Sequence, residues 1–189
     1  TDPNQLASLA SLFQQTLNPE QRKPAEDQIG QLQAQPRFGF LLLALVQSES
    51  TSTAIRLASA IQFKNLCKTR WNVDAETEDP VFSAISDDEK QAIRQQLVPV
   101  LVSLASASTP SQAILSQMNE SVALVASSDF PEAWPALIDE LVSQLSTDNH
   151  HVLLSVLATS HAIFKQWRSQ FRSDALYSEI NLVLGKMAN

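Results

Sequence analysis

The chain has 189 residues, of which three are glycine (Gly30, Gly39, Gly185) and one is cysteine (Cys67), with 44% apolar and 17% charged side chains. This excludes a disulfide scaffold, a collagen-like or flexible low-complexity chain, and a spanning helix, for which about 18 or more consecutive apolar residues are needed; hairpin-rich sheets and phosphate-binding loops, which use glycine for positive φ or close backbone approach, are disfavoured too. The net charge of −7 is unevenly placed, at +2 over residues 1–71, −11 over 72–150 and +2 over 151–189, which argues against nucleic acid, bound through Lys and Arg on phosphates, and suits a basic protein partner.

The expectation is therefore a soluble, all-helical protein of a reducing compartment. No charged, apolar and small-residue series at the N-terminus reads as a signal peptide. In chain order, Leu6, Leu9, Ala10, Phe13 and Leu17 form one apolar stripe and predict a helix over about 4–17. Asn18, Pro19 and Gln21 read as an N-cap, a first-turn proline and a capping glutamine, opening a second helix near 19 that buries Ala25, Ile29 and Leu32. Pro36 ends it. Phe38, Phe40, Leu41, Leu42, Leu45 and Val46 predict a short helix, apolar nearly all round and hence buried on several sides.

A fourth helix, over about 52–70, follows the hydroxyls of residues 50–53, with Ala54, Leu57, Ala58, Ile61, Leu66 and Cys67 inward. Its last turn carries Lys64, Lys68 and Arg70, cations that suit the negative end of the helix dipole. Residues 72–86 lack a stripe and carry Asp74, Glu76, Glu78 and Asp79 before Pro80, predicting an acidic surface loop. Ser86 and Glu89 form a capping box for a helix over about 87–106, with Ile93, Leu97, Val100, Leu101 and Leu104 inward and a bend expected at Pro99.

Thr109, Pro110 and Gln112 repeat the cap-proline-glutamine start for a helix over about 110–127, using Ile114, Leu115, Met118, Val122 and Val125. A helix from about 131 buries Trp134, Leu137, Ile138, Leu141 and Leu145, and the next, about 149–168, uses Leu153, Val156, Leu157, Ile163, Phe164 and Trp167. Ser173 caps a ninth, with Leu176, Ile180, Val183, Leu184 and Met187 on one stripe. Taken as antiparallel pairs, the first members start near 4, 37, 88, 131 and 174, a spacing close to the ~40–47 residues of HEAT or armadillo repeats. The fold expected is an α-α superhelix, right-handed, in which each pair buries its apolar face against its neighbours. The ninth helix has no partner and no polar cap follows it, as in the N-terminal piece of a longer arch.

Chemistry-bearing motifs are sparse. Phosphate-cradling, dinucleotide-binding, nucleophile-elbow and zinc-protease patterns are all missing, so no enzyme, metal or cofactor is expected. Cys67, on an inner stripe beside Leu66, reads as a small buried hydrophobe rather than a reactive thiol. His150, His151 and His161 have no metal-ligand spacing. The acidic run fails as a calcium loop, with Asp79 where a glycine belongs and Ile85 where a glutamate belongs. Lys165, Arg168 and Arg172 interleave with Phe164, Trp167 and Phe171, yet each set is spaced i, i+3, i+7, which on a helix separates a solvated basic face from a packed aromatic one.

The stretch Ala25-Glu26-x-x-Ile29-x-x-Leu32, then Arg56 through Lys64-Asn65 to Trp71, resembles the N-terminal domain of the importin-beta family, and Asp129-Phe130-Pro131-x-x-Trp134-Pro135 resembles that family's next landmark between repeats. Residues 161–184 and Phe38-Gly39-Phe40 are similar to the family's exportins that return importin-alpha to the cytoplasm. The resemblance implies HEAT repeats 1–2 over 1–71, the acidic loop over 72–86, and repeats 3–4 with the first helix of repeat 5 over 87–189, as one continuous solenoid. It further implies a concave face, built from the helices near 19–34, 52–70 and 110–127, that binds the GTP form of the small GTPase Ran.

On that face Lys64, Asn65, Lys68, Gln117, Asn119 and Glu120 are the implied contacts. Importin-alpha and nucleoporin FG repeats are the implied further partners, GTP being carried by Ran and not by this chain, with shuttling between nucleus and cytoplasm and no nucleic acid or membrane bound. Two alternatives stand beside this: an import receptor of the same family, and a constitutive HEAT-repeat scaffold without a nucleotide switch. A purely structural account gives Asn65 to hydrogen bonds between helices, Lys64 and Lys68 to the helix terminus, and Trp71 and Trp134 to packing.

Overall fold

The computed structural model describes residues 2–72, 84–146, 148–167 and 172–187. Asp74, Glu76, Glu78, Asp79 and Pro80, expected in the acidic loop, lie outside them, as do Arg168 and Phe171. Among the described residues all regular structure is helical: α1 Pro3–Thr16, α2 Arg22–Gln33, α3 Phe38–Gln47, α4 Thr53–Arg70, α5 Asp87–Ala105, α6 Gln112–Asp129, α7 Leu137–Ser143, α8 His150–Trp167 and α9 Asp174–Met187, with a 3-10 turn at Gln144–Ser146.

The helices form two layers. α1, α3, α5, α7 and α9 pack in sequence along one layer, and α4, α6 and α8 pack side by side in the other, with α2 against α1, α4 against α3 and α6 against α5. This is the alternation of a HEAT-repeat solenoid, in which each helical pair completes its core only against the next. One continuous core results, from Leu9 and Phe13 through Phe63, Leu101 and Met118 to Ile138, Val156 and Val183. Gly39 allows a close approach within the first layer: a Cβ there would lie 3.1 Å from Ile93 Cδ1 of α5. None of the described helices is long and apolar enough to cross a membrane.

The capping hydroxyls act where the sequence puts them at three helices. Ser52, Ser86 and Ser173 accept from the backbone N–H of Ile55, Glu89 and Leu176 at 3.4, 3.3 and 3.2 Å. The capping box of α5 closes differently, however. Glu89 Oε2 accepts from the backbone N–H of Arg37 at 3.1 Å, placing the carboxylate at the N-terminus of α3 instead of its own helix. Arg37 itself has a left-handed φ of 66°. α5 runs through Pro99 as one helix.

Three helices start later than their cap-and-proline patterns predict. Asn18 does accept from Glu20 N–H at 3.1 Å, but it closes a turn, and α2 begins only at Arg22. Pro24 then falls in the first turn, where its missing N–H has no intrahelical acceptor in any case. α6 begins at Gln112 behind Ser111, not Thr109. α7 begins at Leu137 because Asp129 O accepts from Ala133 and Trp134 N–H at 2.7 and 2.8 Å, holding residues 130–134 in a compact turn after the cis Phe130-Pro131 bond.

Two stripes are rotated from expectation. In α4 the buried set is Ile55, Ser59, Ala60, Phe63, Leu66, Cys67 and Arg70, while Ala54 is exposed and Ile61 is 40% exposed. In α8, Val152, Ser155, Val156, Thr159, Ser160 and Ile163 are buried and Leu157 is half exposed. In α9, Leu176 and Val183 are buried but Leu184 is 60% exposed. In α4 and α8 the reason is shared: a second-layer helix touches its own partner and the helices on either side, so small polar residues sit in the close contacts and large apolar ones are displaced to their rims.

Candidate protein-binding face

α4, α6 and α8 run parallel in register, which the cross-links between them establish. Lys64 Nζ pairs with Glu120 Oε2 at 2.9 Å, and about two turns further on Asn72 Nδ2 donates to Ser128 Oγ at 2.7 Å. Asn119 Oδ1 accepts from Ser155 Oγ at 3.2 Å and Thr159 Oγ1 at 3.0 Å, tying α6 to α8. The exposed sides of these three helices are mostly polar, with Ile61, Leu154 and Leu157 as exposed apolar residues among them.

The six implied contact residues divide on this strip. Lys64 and Glu120 are brought together, Asn65 and Lys68 are exposed on α4, and Gln117 is half-buried with its Oε1 unpartnered among the described residues. Asn119 is only 9% exposed, and its oxygen is taken by two hydroxyls, so it holds helices together rather than presenting that oxygen to solvent. Lys64, read as a helix-terminus cation, instead reaches the neighbouring repeat. Because the Lys64–Glu120 pair is open to solvent, with side chains 23% and 54% exposed, its worth is small, on the order of 0–1 kcal/mol.

Behind the strip lies a joint in which the sequence landmarks meet. Trp71 Nε1, on a side chain 1% exposed, donates to Asp129 Oδ1 at 3.0 Å, and Arg94 of α5 pairs with Asp129 Oδ2. Lys90 lies over the Trp71 ring, 6.0 Å from its centroid. Trp71 at the end of α4, Arg94 of α5 and Asp129 at the end of α6 thus form one three-residue lock between repeats.

Arg70 is the clearest departure from the sequence reading. It is buried, and it donates to the carbonyl of Gln33, so it caps the C-terminus of α2 from a neighbouring repeat. Burial lowers its pKa from the ordinary arginine value, and the nearby Glu89 carboxylate pushes the other way. Cys67 is buried and free, and burial raises its thiol pKa well above the usual range, which makes it inert. His150 and His151 open α8 with their rings 6.2 Å apart, and His161 is exposed; no group of metal-ligating side chains is present among the described residues. Phe164 packs against the core while Lys165 and Arg172 are exposed.

Nothing in the sequence marks Arg94 as a site-builder. Ser155, Thr159 and Ser160 carried the one available signal, a run of small hydroxyls at helical spacing on an otherwise apolar face. Burial of such groups requires partners, and Asn119 is the partner for two of them.

Comparison with known proteins agrees with this architecture. Residues 25–103 match the importin-beta N-terminal domain, and residues 163–189 match the Cse1 family model. Exportin-2 of Drosophila melanogaster is 34% identical over 185 residues, covering 97% of this chain and 18% of the relative. The importin alpha re-exporter of Saccharomyces cerevisiae is 36% identical over 179 residues, covering 95% of this chain and 18% of the relative. The exportin Cse1 in its cargo-free, cytoplasmic state superposes with a TM-score of 0.83 at 32% identity, over 97% of this chain and 19% of that one. The chain thus spans about a fifth of the length of the relatives it matches. The importin-beta N-terminal domain match takes in Trp71 and Arg94 of the lock but not Asp129, and nearly the whole chain is similar to exportins: the chain carries the N-terminal domain of the importin-beta family.

Proposed function

We propose that this chain is the Ran-GTP-binding segment of a non-enzymatic nuclear export receptor that returns importin-alpha to the cytoplasm and shuttles through the nuclear pore by way of nucleoporin FG repeats. The observation that carries the reading is the match of nearly the whole chain to exportins and importin-alpha re-exporters. The structure supports it with a laterally continuous face on α4, α6 and α8, where Asn65, Lys68, Gln117 and the Lys64–Glu120 pair stand on helices fixed in register from behind. No cofactor belongs to the chain in this reading, since the nucleotide is Ran's.

Switching works by differential binding: a partner and Ran-GTP that favour the same curvature raise each other's affinity, and GTP hydrolysis releases both. The test is a titration of labelled Ran-GTP and Ran-GDP against the chain. Preference for the GTP form is expected, with roughly a tenfold loss for Lys68→Glu, equivalent to ~1.4 kcal/mol. In Glu120→Gln, Lys64 is released from its partner and affinity changes in the direction set by the charge it meets on Ran. Equal binding of both nucleotide forms, with no effect of Lys68→Glu, would leave the constitutive scaffold as the function.

A further inference from the structure

The second layer is not uniform. α4, α6 and α8 pack alongside one another, whereas α2 packs on α1 and leaves a cleft of about 370 Å³ between itself and α4. Ile29 and Gln33 of α2 line it, as do Ala58 and Ile61 of α4. Ile61, 40% exposed, is an apolar residue left open at this gap.

What ties α2 to the following repeats lies at its C-terminal end. Gln33 O is one of the last four carbonyls of α2, which have no intrahelical partner, and the Arg70 guanidinium of α4 donates to it. At the start of α3, the backbone N–H of Arg37 donates to Glu89 Oε2 of α5 at 3.1 Å. The turn between α2 and α3 is therefore gripped at both ends by side chains of opposite charge, one from α4 and one from α5. Arg70 and Glu89 line a common cavity of about 190 Å³ with Gln33, Pro36 and Gly39. Ile85 N–H donates to Arg70 O at 3.2 Å, which holds the approach to α5 against the end of α4. Burial disfavours the Arg70 charge and the Glu89 carboxylate supports it, so loss of Glu89 weakens the grip of Arg70 as well. Within the turn, Arg37 has a left-handed φ of 66°, which a non-glycine residue keeps only where its surroundings hold it there.

We infer that the α2–α3 turn is a hinge and that Arg70 and Glu89 form the clasp that holds it closed, fixing the tilt of α2 against α4. A hinge is a short loop that absorbs a change of backbone angles, and Ala34 to Arg37 is such a loop with its strained residue at one end. When the clasp opens, α2 swings on α1 and the cleft widens, while α4, α6 and α8 keep their spacing. The Gln33 carbonyl then passes to water, as the free carbonyls at a helix end readily do. Arg70 and Glu89 are thus positioning residues for α2, although neither lies on that helix. The hinge needs no nucleotide and no partner, so it is independent of the Ran reading and either can fail alone.

The test is pulsed dipolar spectroscopy on pairs of spin labels at exposed positions, with buried Cys67 left unlabelled. Asp27→Cys with Asn65→Cys spans α2 and α4, and Asn65→Cys with Ser116→Cys spans α4 and α6 as the reference. In Arg70→Met and in Glu89→Ala the α2–α4 distance distribution is expected to broaden at least twofold toward longer distances, with the α4–α6 distribution unchanged. Arg70→Lys, which keeps a charged donor for Gln33 O, should restore most of the wild-type width. Glu89→Ala, at a half-buried position, keeps the test valid should Arg70→Met fail to fold. An unchanged α2–α4 distribution in either folded variant, or equal broadening of both pairs, would overturn the inference.

Discussion

Replacing Asp129 with alanine should be the most damaging single change to this chain outside its purely apolar core. The carboxylate is 8% exposed and carries two obligations, to Arg94 and to the Trp71 indole N–H. Arg94 has a side chain only 13% exposed, so loss of Asp129 strands its charge where water reaches it poorly. Breaking a buried pair from one side costs about 3–5 kcal/mol, and the orphaned indole donor lies within the same loss. Against a typical total stability of about 5–15 kcal/mol, that is about a fifth or more. Asp129→Asn, which keeps an acceptor for Trp71 but loses the charge, should cost roughly 2 kcal/mol. Removing both charges, as Arg94→Met with Asp129→Ala, should recover part of the loss, because no uncompensated cation remains.

Urea unfolding followed by tryptophan fluorescence and far-ultraviolet circular dichroism reads all three variants. In a solenoid the two signals should separate when the lock is broken, since the lock joins the repeat of α3 and α4 to the repeat of α5 and α6. A loss below about 1 kcal/mol in Asp129→Ala, or a double variant less stable than that single one, would refute the reasoning.

Two further expectations concern titration and reactivity. Burial raises the Glu140 pKa, with a hydrogen bond from Trp134 opposing and the Asp139 charge adding to it. The folded chain therefore holds this proton more tightly than the unfolded one, and stability falls as pH rises from the ordinary glutamate range toward the raised folded value. Glu140→Gln should accordingly be stabilising at neutral pH in thermal melts, with the gain vanishing as the pH falls below the glutamate range; a gain that is the same at both ends would contradict it. Cys67, buried with a raised thiol pKa, should resist a thiol reagent in the native chain at pH 8 and react fully in denaturant. Rapid labelling of the native chain would show an open α4.

The order and number of helices are legible in the sequence because each carries an apolar stripe, and Ser52, Ser86 and Ser173 mark their starts by a local hydrogen bond. The starts of α2, α6 and α7 are not, because a cap followed by proline fits a tight turn as well as a helix. Which face of α4 or α8 is buried escapes a stripe count for a different reason: Ser59, Ser155 and Thr159 are buried by long-range contacts that periodicity does not encode. The same holds for the candidate face. Lys64 and Glu120 are 56 residues apart, and Arg94 and Asp129 are 35 apart, so their pairing depends on the stacking of whole repeats. Arg70 shows the limit most plainly, since a cation in a last helical turn has an adequate local explanation and yet serves the end of a different helix.

The unequal closeness of the two layers has a mechanical consequence. α4, α6 and α8 pack closely along their lengths and are riveted by Lys64–Glu120, Asn72–Ser128 and the Asn119 hydroxyl pair, whereas α3, α5, α7 and α9 meet one another more sparsely. A stack built this way bends like a strip with one inextensible side: its neutral axis runs through α4, α6 and α8, and flexure opens or closes the spacing of the odd-numbered helices. Distance probes on α3, α5 and α7 would then act as a strain gauge for the arch, while probes on α4 and α6 would stay silent as it flexes.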